Sequence, residues 1–151
     1  MKLNELKIDA EKFEQGDWVS TIPDMGSLKL KVRGIGNTDF RKMQSRLFEA
    51  EPRQYKVGGK LPPERQDIIT SQCLLHTVLV DWDGLLDENN RPIPYSKDLA
   101  CDLLTKPEYK RFRDAVAWAA SVVAEGIEFD LDDAGNASQQ PSDGDSSGAT
   151  S

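Results

Sequence analysis

Leu28, Leu30 and Val32 alternate with Lys29, Lys31 and Arg33, and this period of two constrains the fold more than any other feature of the chain. Successive side chains of a strand point to opposite faces, so the pattern predicts one apolar face that must be covered and one charged face in water. Trp18 to Ile22 lies just upstream, and Pro23-Asp24-Met25-Gly26 between the two runs suits a tight reversal. Together they predict an antiparallel hairpin.

The covering layer is legible as helices. Asp9 can cap a short helical turn through Phe13, which Gly16 stops. From Asn37 the apolar spacing changes to three and four, at Phe40, Met43 and Leu47, with Asn37 or Thr38 as the cap and an end before Pro52. Arg53 to Leu61, with Gly58-Gly59, reads as a mobile connection. Pro62-Pro63-Glu64 opens another helix, from which Ile68, Ile69, Cys73, Leu75 and Leu79 are predicted to face inward. After a polar loop from Asp83 to Ser96, two more helices are predicted, Lys97 to Thr105 capped by Ser96 and Pro107 to Glu125. The expected class is α+β: a small antiparallel hairpin or sheet near the N-terminus packed with about four α-helices.

Charge divides the chain unevenly. Seven of the 26 acidic residues lie from Glu125 onward with no Lys or Arg among them, so the other 19 are balanced by all 19 basic residues. The net charge of −7 therefore belongs to the C-terminal stretch, which is rich in Gly, Ser, Asp and Gln. A segment so poor in apolar residues cannot offset the entropy of ordering it. Residues 1–125 are expected to form one domain, and residues 126–151 a disordered acidic tail.

This distribution excludes several classes of function. A formally neutral domain offers no clustered basic face for nucleic acid, and no stretch approaches the roughly 18 apolar residues of a membrane span. Cys73 and Cys101 belong to no C-x-x-C pair, which fits reduced thiols in the cytoplasm better than a zinc site or a disulfide framework. His76 is the only histidine, so no histidine-based catalytic pair can form. Asp81, Asp83, Asp87 and Glu88 fail the spacing of a calcium loop, because Leu85 and Leu86 stand where an acid and a glycine are required. Gly34-Ile35-Gly36 lacks the third glycine or Lys-Ser/Thr pair of a phosphate-binding turn. No cofactor or metal is expected, and the chain reads as a non-enzymatic binding protein.

The segment from Val80 to Ser96 combines unusual pieces. A large aromatic, Trp82, is followed by a turn at Gly84, a second turn at Asn89-Asn90, an extended bracket Pro92-Ile93-Pro94, and Tyr95-Ser96 leading into a new helix. On residues alone this is an ordered loop whose Trp82, Leu85 and Ile93 plug the core. The pattern of Trp82, Gly84, Leu85, Asp87, Pro92, Ile93, Pro94, Tyr95 and Ser96, followed by Leu103-Leu104 and Pro107, resembles the tail assembly chaperones of long-tailed bacteriophages. Gly16-Asp17-Trp18-Val19, Val32-Arg33-Gly34 and the Asn37 helix start are similar in layout. Asn90 departs from the family pattern, where glycine is usual, but Asn tolerates a left-handed backbone better than most residues.

The resemblance implies a protein of the host cytoplasm, absent from the mature virion, that binds the tape measure protein and helps recruit the major tail tube protein. The alternative is a structural tail component, a tube or tail-completion subunit. The last helix bears on either reading, because its apolar surface covers more than half its circumference. Tyr109, Phe112, Val116, Ala120 and Val123 form the expected inward stripe, with Trp118 nearly opposite and Val122, Ala115 and Ala119 between. Such a helix is either packed on two sides or exposes a patch. The second case makes Trp118, Val122 and Ala115 the partner-binding residues, toward tape measure helices or a second copy.

Overall fold

A computed structural model describes residues 1–126. The expected acidic tail from residue 127 onward lies outside the described residues. The fold is α+β, a three-stranded antiparallel sheet with its helices packed on one face. In chain order the elements are α1 (Ala10–Gln15), β1 (Asp17–Val19), β2 (Lys29–Val32), α2 (Thr38–Ala50), α3 (Pro63–Thr77), β3 (Leu79–Asp83), α4 (Lys97–Thr105) and α5 (Lys110–Glu125).

The alternating segment became the central strand. β2 pairs with β1 through Trp18↔Lys31 and Val19↔Leu30, and with β3 through Leu30↔Trp82 and Lys31↔Asp81. Leu30 and Val32 have no exposed surface, as the period of two requires. In the connection, Met25 N–H donates to the Ile22 carbonyl at 3.2 Å, and Asp24 takes the left-handed conformation (φ 62°) that closes the reversal.

β3 differs from the sequence expectation. Leu79 was predicted to continue the inward face of a helix, but the helix ends at Thr77 and Leu79 opens a strand. The register explains the misreading. Val32 pairs with Leu79 and Lys31 with Asp81, so Val80 is an extra residue, a bulge. The bulge places Leu79 and Trp82 on the same buried face although they are three residues apart, a spacing that mimics a helix. Ile68 is a second departure. It is 62% exposed, while its neighbour Ile69 is buried. Tyr109 is a third, since Pro107–Tyr109 forms a separate 3-10 turn before α5 and leaves that ring partly exposed.

Short polar groups set the helix starts. The Asp9 carboxylate accepts from the Glu11 and Lys12 N–H groups, and the Ser96 hydroxyl accepts from Leu99 N–H at 3.1 Å. Asn37 does more than cap. Its Oδ1 accepts from Phe40 N–H at 2.9 Å, while its Nδ2 donates to the carbonyls of Gly34 at 3.0 Å and Thr77 at 2.8 Å. A fully buried amide thus ties the start of α2 to the end of α3. Glu14 of α1 supports the same helix start, accepting from Thr38 N–H at 3.0 Å and Thr38 Oγ1 at 2.6 Å.

The connection from Arg53 to Leu61 carries structure of its own. Gly58 and Gly59 both have positive φ and close a two-residue turn between the bridged Val57 and Lys60. Arg65 reaches back to it, stacked 3.9 Å above the Tyr55 ring and ion-paired with Glu51.

Candidate functional site

The residues singled out between Trp82 and Ser96 form one built unit. Trp82 points from the inner face of β3, is buried, and donates from Nε1 to the Ile93 carbonyl at 2.8 Å. Its indole meets the Tyr95 ring edge-on at 4.9 Å and the Phe112 ring of α5 at 5.9 Å. Burial first, and Asp81 second, raise the Tyr95 phenol above its usual pKa. This three-ring cluster fixes the loop to both the sheet and the last helix.

The outer half of the loop is held by its own backbone. Gly84 lies at φ 80°, and a Cβ there would stand 2.6 Å from the Ser27 carbonyl oxygen, so no side chain fits. Ile93 N–H donates to the Leu85 carbonyl at 2.8 Å, and Leu86 bridges Pro92. Asp87 closes the tip. Its backbone N–H donates to the Arg91 carbonyl at 2.9 Å, and its Oδ1 accepts from the N–H groups of Asn89 at 2.8 Å and Arg91 at 3.0 Å. Asn90 sits at φ 62°, the left-handed position where the sequence pattern would favour glycine. Pro92, Pro94 and Ser96 are exposed, and Ile93 and Leu85 are half-buried.

The expected patch on α5 is corrected by the structure. Ala115 and Val122 are buried, together with Ala119, because α5 packs against the sheet on one side and other helices on the other. The wide apolar arc therefore reflects a helix with two sets of neighbours. Trp118 alone of the three keeps substantial exposure, half-buried against the core. It stands in a shallow groove of about 310 Å³ whose other wall is the reversal Ile22, Pro23, Asp24 and Met25. Arg111 spans that groove by donating to the Asp24 carbonyl at 3.3 Å.

Two further surfaces escaped the sequence reading. A groove of about 520 Å³ runs between α3 and the start of α5, with Ile68, Leu104 and Pro107 among its apolar lining and Glu64, Asp67, Lys106, Lys110 and Arg113 as its charged residues. Ile68, 62% exposed beside the buried Ile69, is the apolar residue that marks it. The uncovered face of the sheet carries Trp18, 44% exposed, beside Lys29, Asp81 and Asp83. Its signal was the aromatic in register with the charged positions of β2.

No group of three or more His, Cys, Asp or Glu among the described residues could hold a metal ion. Cys73 is buried, and that burial raises its thiol pKa. His76 is exposed, with its pKa lowered first by partial desolvation and then by Lys97 and Arg46. No helix among the described residues is long and apolar enough to cross a membrane.

Residues 35–136 match the family model described as YdaY prophage protein. The chain belongs to the YdaY prophage protein family. It is thus a phage or prophage protein, and the family match takes in the Trp82 to Ser96 unit, the groove walls on α3 and α5, and ten residues beyond Gly126. The α1 turn and the β1–β2 hairpin precede the matched region. No curated protein and no solved structure matches the chain at a significant level.

Proposed function

We propose that this YdaY-family chain is a non-enzymatic tail assembly chaperone that binds the tape measure protein and assists assembly of the major tail tube protein. The observation that carries the reading is the pattern from Trp82 to Ser96, which resembles that of tail assembly chaperones and here folds into one hydrogen-bonded unit. Membership of a prophage family supports it. So does the shallow groove beside Trp118, whose lining joins the apolar Ile22, Pro23 and Met25 to the charged Asp24, Arg111 and Asp114, a surface that an amphipathic partner helix fits. In this reading Trp118 is a contact residue, and the buried Ala115 and Val122 position it. The protein acts in the host cytoplasm and leaves before the virion matures.

The test is co-expression of the tagged chain with the tape measure protein of the same prophage, followed by affinity capture and analysis of finished particles. Capture of soluble tape measure protein, with the chain missing from particles, is the expected result. A chain abundant in particles would instead establish a structural tail subunit. A tape measure protein that neither binds nor gains solubility would overturn the proposal.

A further inference from the structure

The sheet face opposite the helices carries Trp18 on β1, Lys29 and Lys31 on β2, and Asp81 and Asp83 on β3. Trp18, Lys29 and Asp83 are exposed, and Lys31 and Asp81 are half-buried. The register sorts the charges into two columns. Lys31 stands between Trp18 and Asp81 in one row, and Lys29 stands opposite Asp83 in the other. β2 thus presents two ammonium groups and β3 two carboxylates. Opposite charges on neighbouring strands commonly pair with each other, yet none of these four forms an ion pair among the described residues. Asp81 Oδ1 accepts from the Trp82 backbone N–H at 2.7 Å. Trp18, Lys29, Asp81 and Asp83 border an open depression of about 520 Å³.

Such a face is complementary to itself. A two-fold axis between β2 and β3, parallel to the strands, turns a second copy face down so that its β2 lies over this β3 and its β3 over this β2. Rotation about that axis leaves positions along the strands unchanged. Lys29 of each copy therefore meets Asp83 of the other, and Lys31 meets Asp81. Stacked sheets lie about 10 Å apart, a gap that an extended lysine and an aspartate reaching toward each other span. Trp18 of each copy falls beside the other's β3, at the level of Asp81 and of the bulge residue Val80, which is 37% exposed. Setting β2 on β2 would oppose lysine to lysine, so the charges fix the register of the pairing.

We infer that two copies of this chain associate through the open sheet face, with Lys29 and Lys31 of each against Asp83 and Asp81 of the other. Three short strands offer less than the roughly 800 Å² per partner of a standard interface, so the dimer is weak, exchanges rapidly and is loosened by salt. The inference is independent of the tape measure reading, which uses the groove beside Trp118.

Sedimentation velocity of the full-length chain over a concentration series tests it. The parent should shift from monomer toward dimer as concentration rises, and added salt should weaken the association roughly tenfold. K29D/K31D makes the face wholly acidic and D81K/D83K makes it wholly basic, so each variant alone should stay monomeric. An equimolar mixture of the two should dimerise at least as tightly as the parent. The exposed pair alone, K29D mixed with D83K, should give the same pattern at smaller amplitude. A parent that stays monomeric up to about 1 mM would overturn the inference, as would charge-reversed variants that dimerise like the parent. So would a mixture of K29D and D83K that stays monomeric while both retain the parent's circular dichroism.

Discussion

The indole N–H of Trp82 donates to the carbonyl of Ile93, eleven residues further on, at 2.8 Å. This one bond closes the loop over the aromatic cluster and converts a sequence pattern into a rigid surface element. Trp82→Phe keeps a ring in the core but removes the donor, leaving the Ile93 carbonyl without its partner. The expected cost is about 1–3 kcal/mol, read as a lower urea midpoint, and the loop should become the first site of proteolytic cleavage. Unchanged stability and an uncut loop would show that the bond contributes nothing.

Asn37 is expected to be the most sensitive polar position in the domain. Asn37→Ala removes the cap of α2 and the side-chain donor to the Thr77 carbonyl in a fully buried site, whereas the Gly34 carbonyl keeps its bond from the residue 37 backbone N–H. A loss of about 2–4 kcal/mol follows from the cap and the unpaired carbonyl together. Equilibrium urea unfolding of the variant against the parent measures it, and a loss below about 1 kcal/mol would mean that the helix start relaxes freely.

Asn90 offers a test in the opposite direction. Its φ of 62° is reached by glycine without steric cost. Asn90→Gly should be neutral or stabilising by up to about 0.5 kcal/mol, while Asn90→Val should cost about 1–2 kcal/mol. Thermal unfolding of the two variants distinguishes a turn held by that backbone angle from one that tolerates any residue.

The acid limb of stability should depend on Glu14. Its carboxyl lies below the usual value of 4.5, lowered first by the Thr38 hydroxyl and then by the Thr38 backbone N–H. A carboxyl depressed in the folded state contributes stability above its unfolded pKa, and that contribution is lost as pH falls through the folded value. Glu14→Gln should therefore be less stable than the parent near neutrality, and the gap should close below pH 4.5. A gap that stays constant from neutral to acidic pH would assign the effect to packing.

Local chemistry made much of this fold legible in the sequence. The caps Asp9, Asn37 and Ser96 act within three residues of themselves, and the alternation of β2 reports its own burial. What escaped depends on partners distant in the chain. The bulge at Val80 is imposed by pairing with β2, and it disguised a strand as helix spacing. The arc of Ala115, Ala119 and Val122 is equally apolar whether a neighbour or a partner covers it, and only the packing of α5 decides. The residues of the Trp82 loop were legible as a pattern, whereas the closing contact with Phe112 was not, because it joins elements 30 residues apart.

Binding of the tape measure protein is measured most directly by titrating its purified helical segments into the full-length chain and its Trp118→Ala and Ile68→Ser variants. The account predicts saturable binding by the parent and a roughly tenfold or greater loss for Trp118→Ala, the equivalent of burying one large aromatic. Ile68→Ser, on the other groove, should bind like the parent. Absence of binding by a folded parent chain, or equal affinity of the parent and Trp118→Ala, would contradict it.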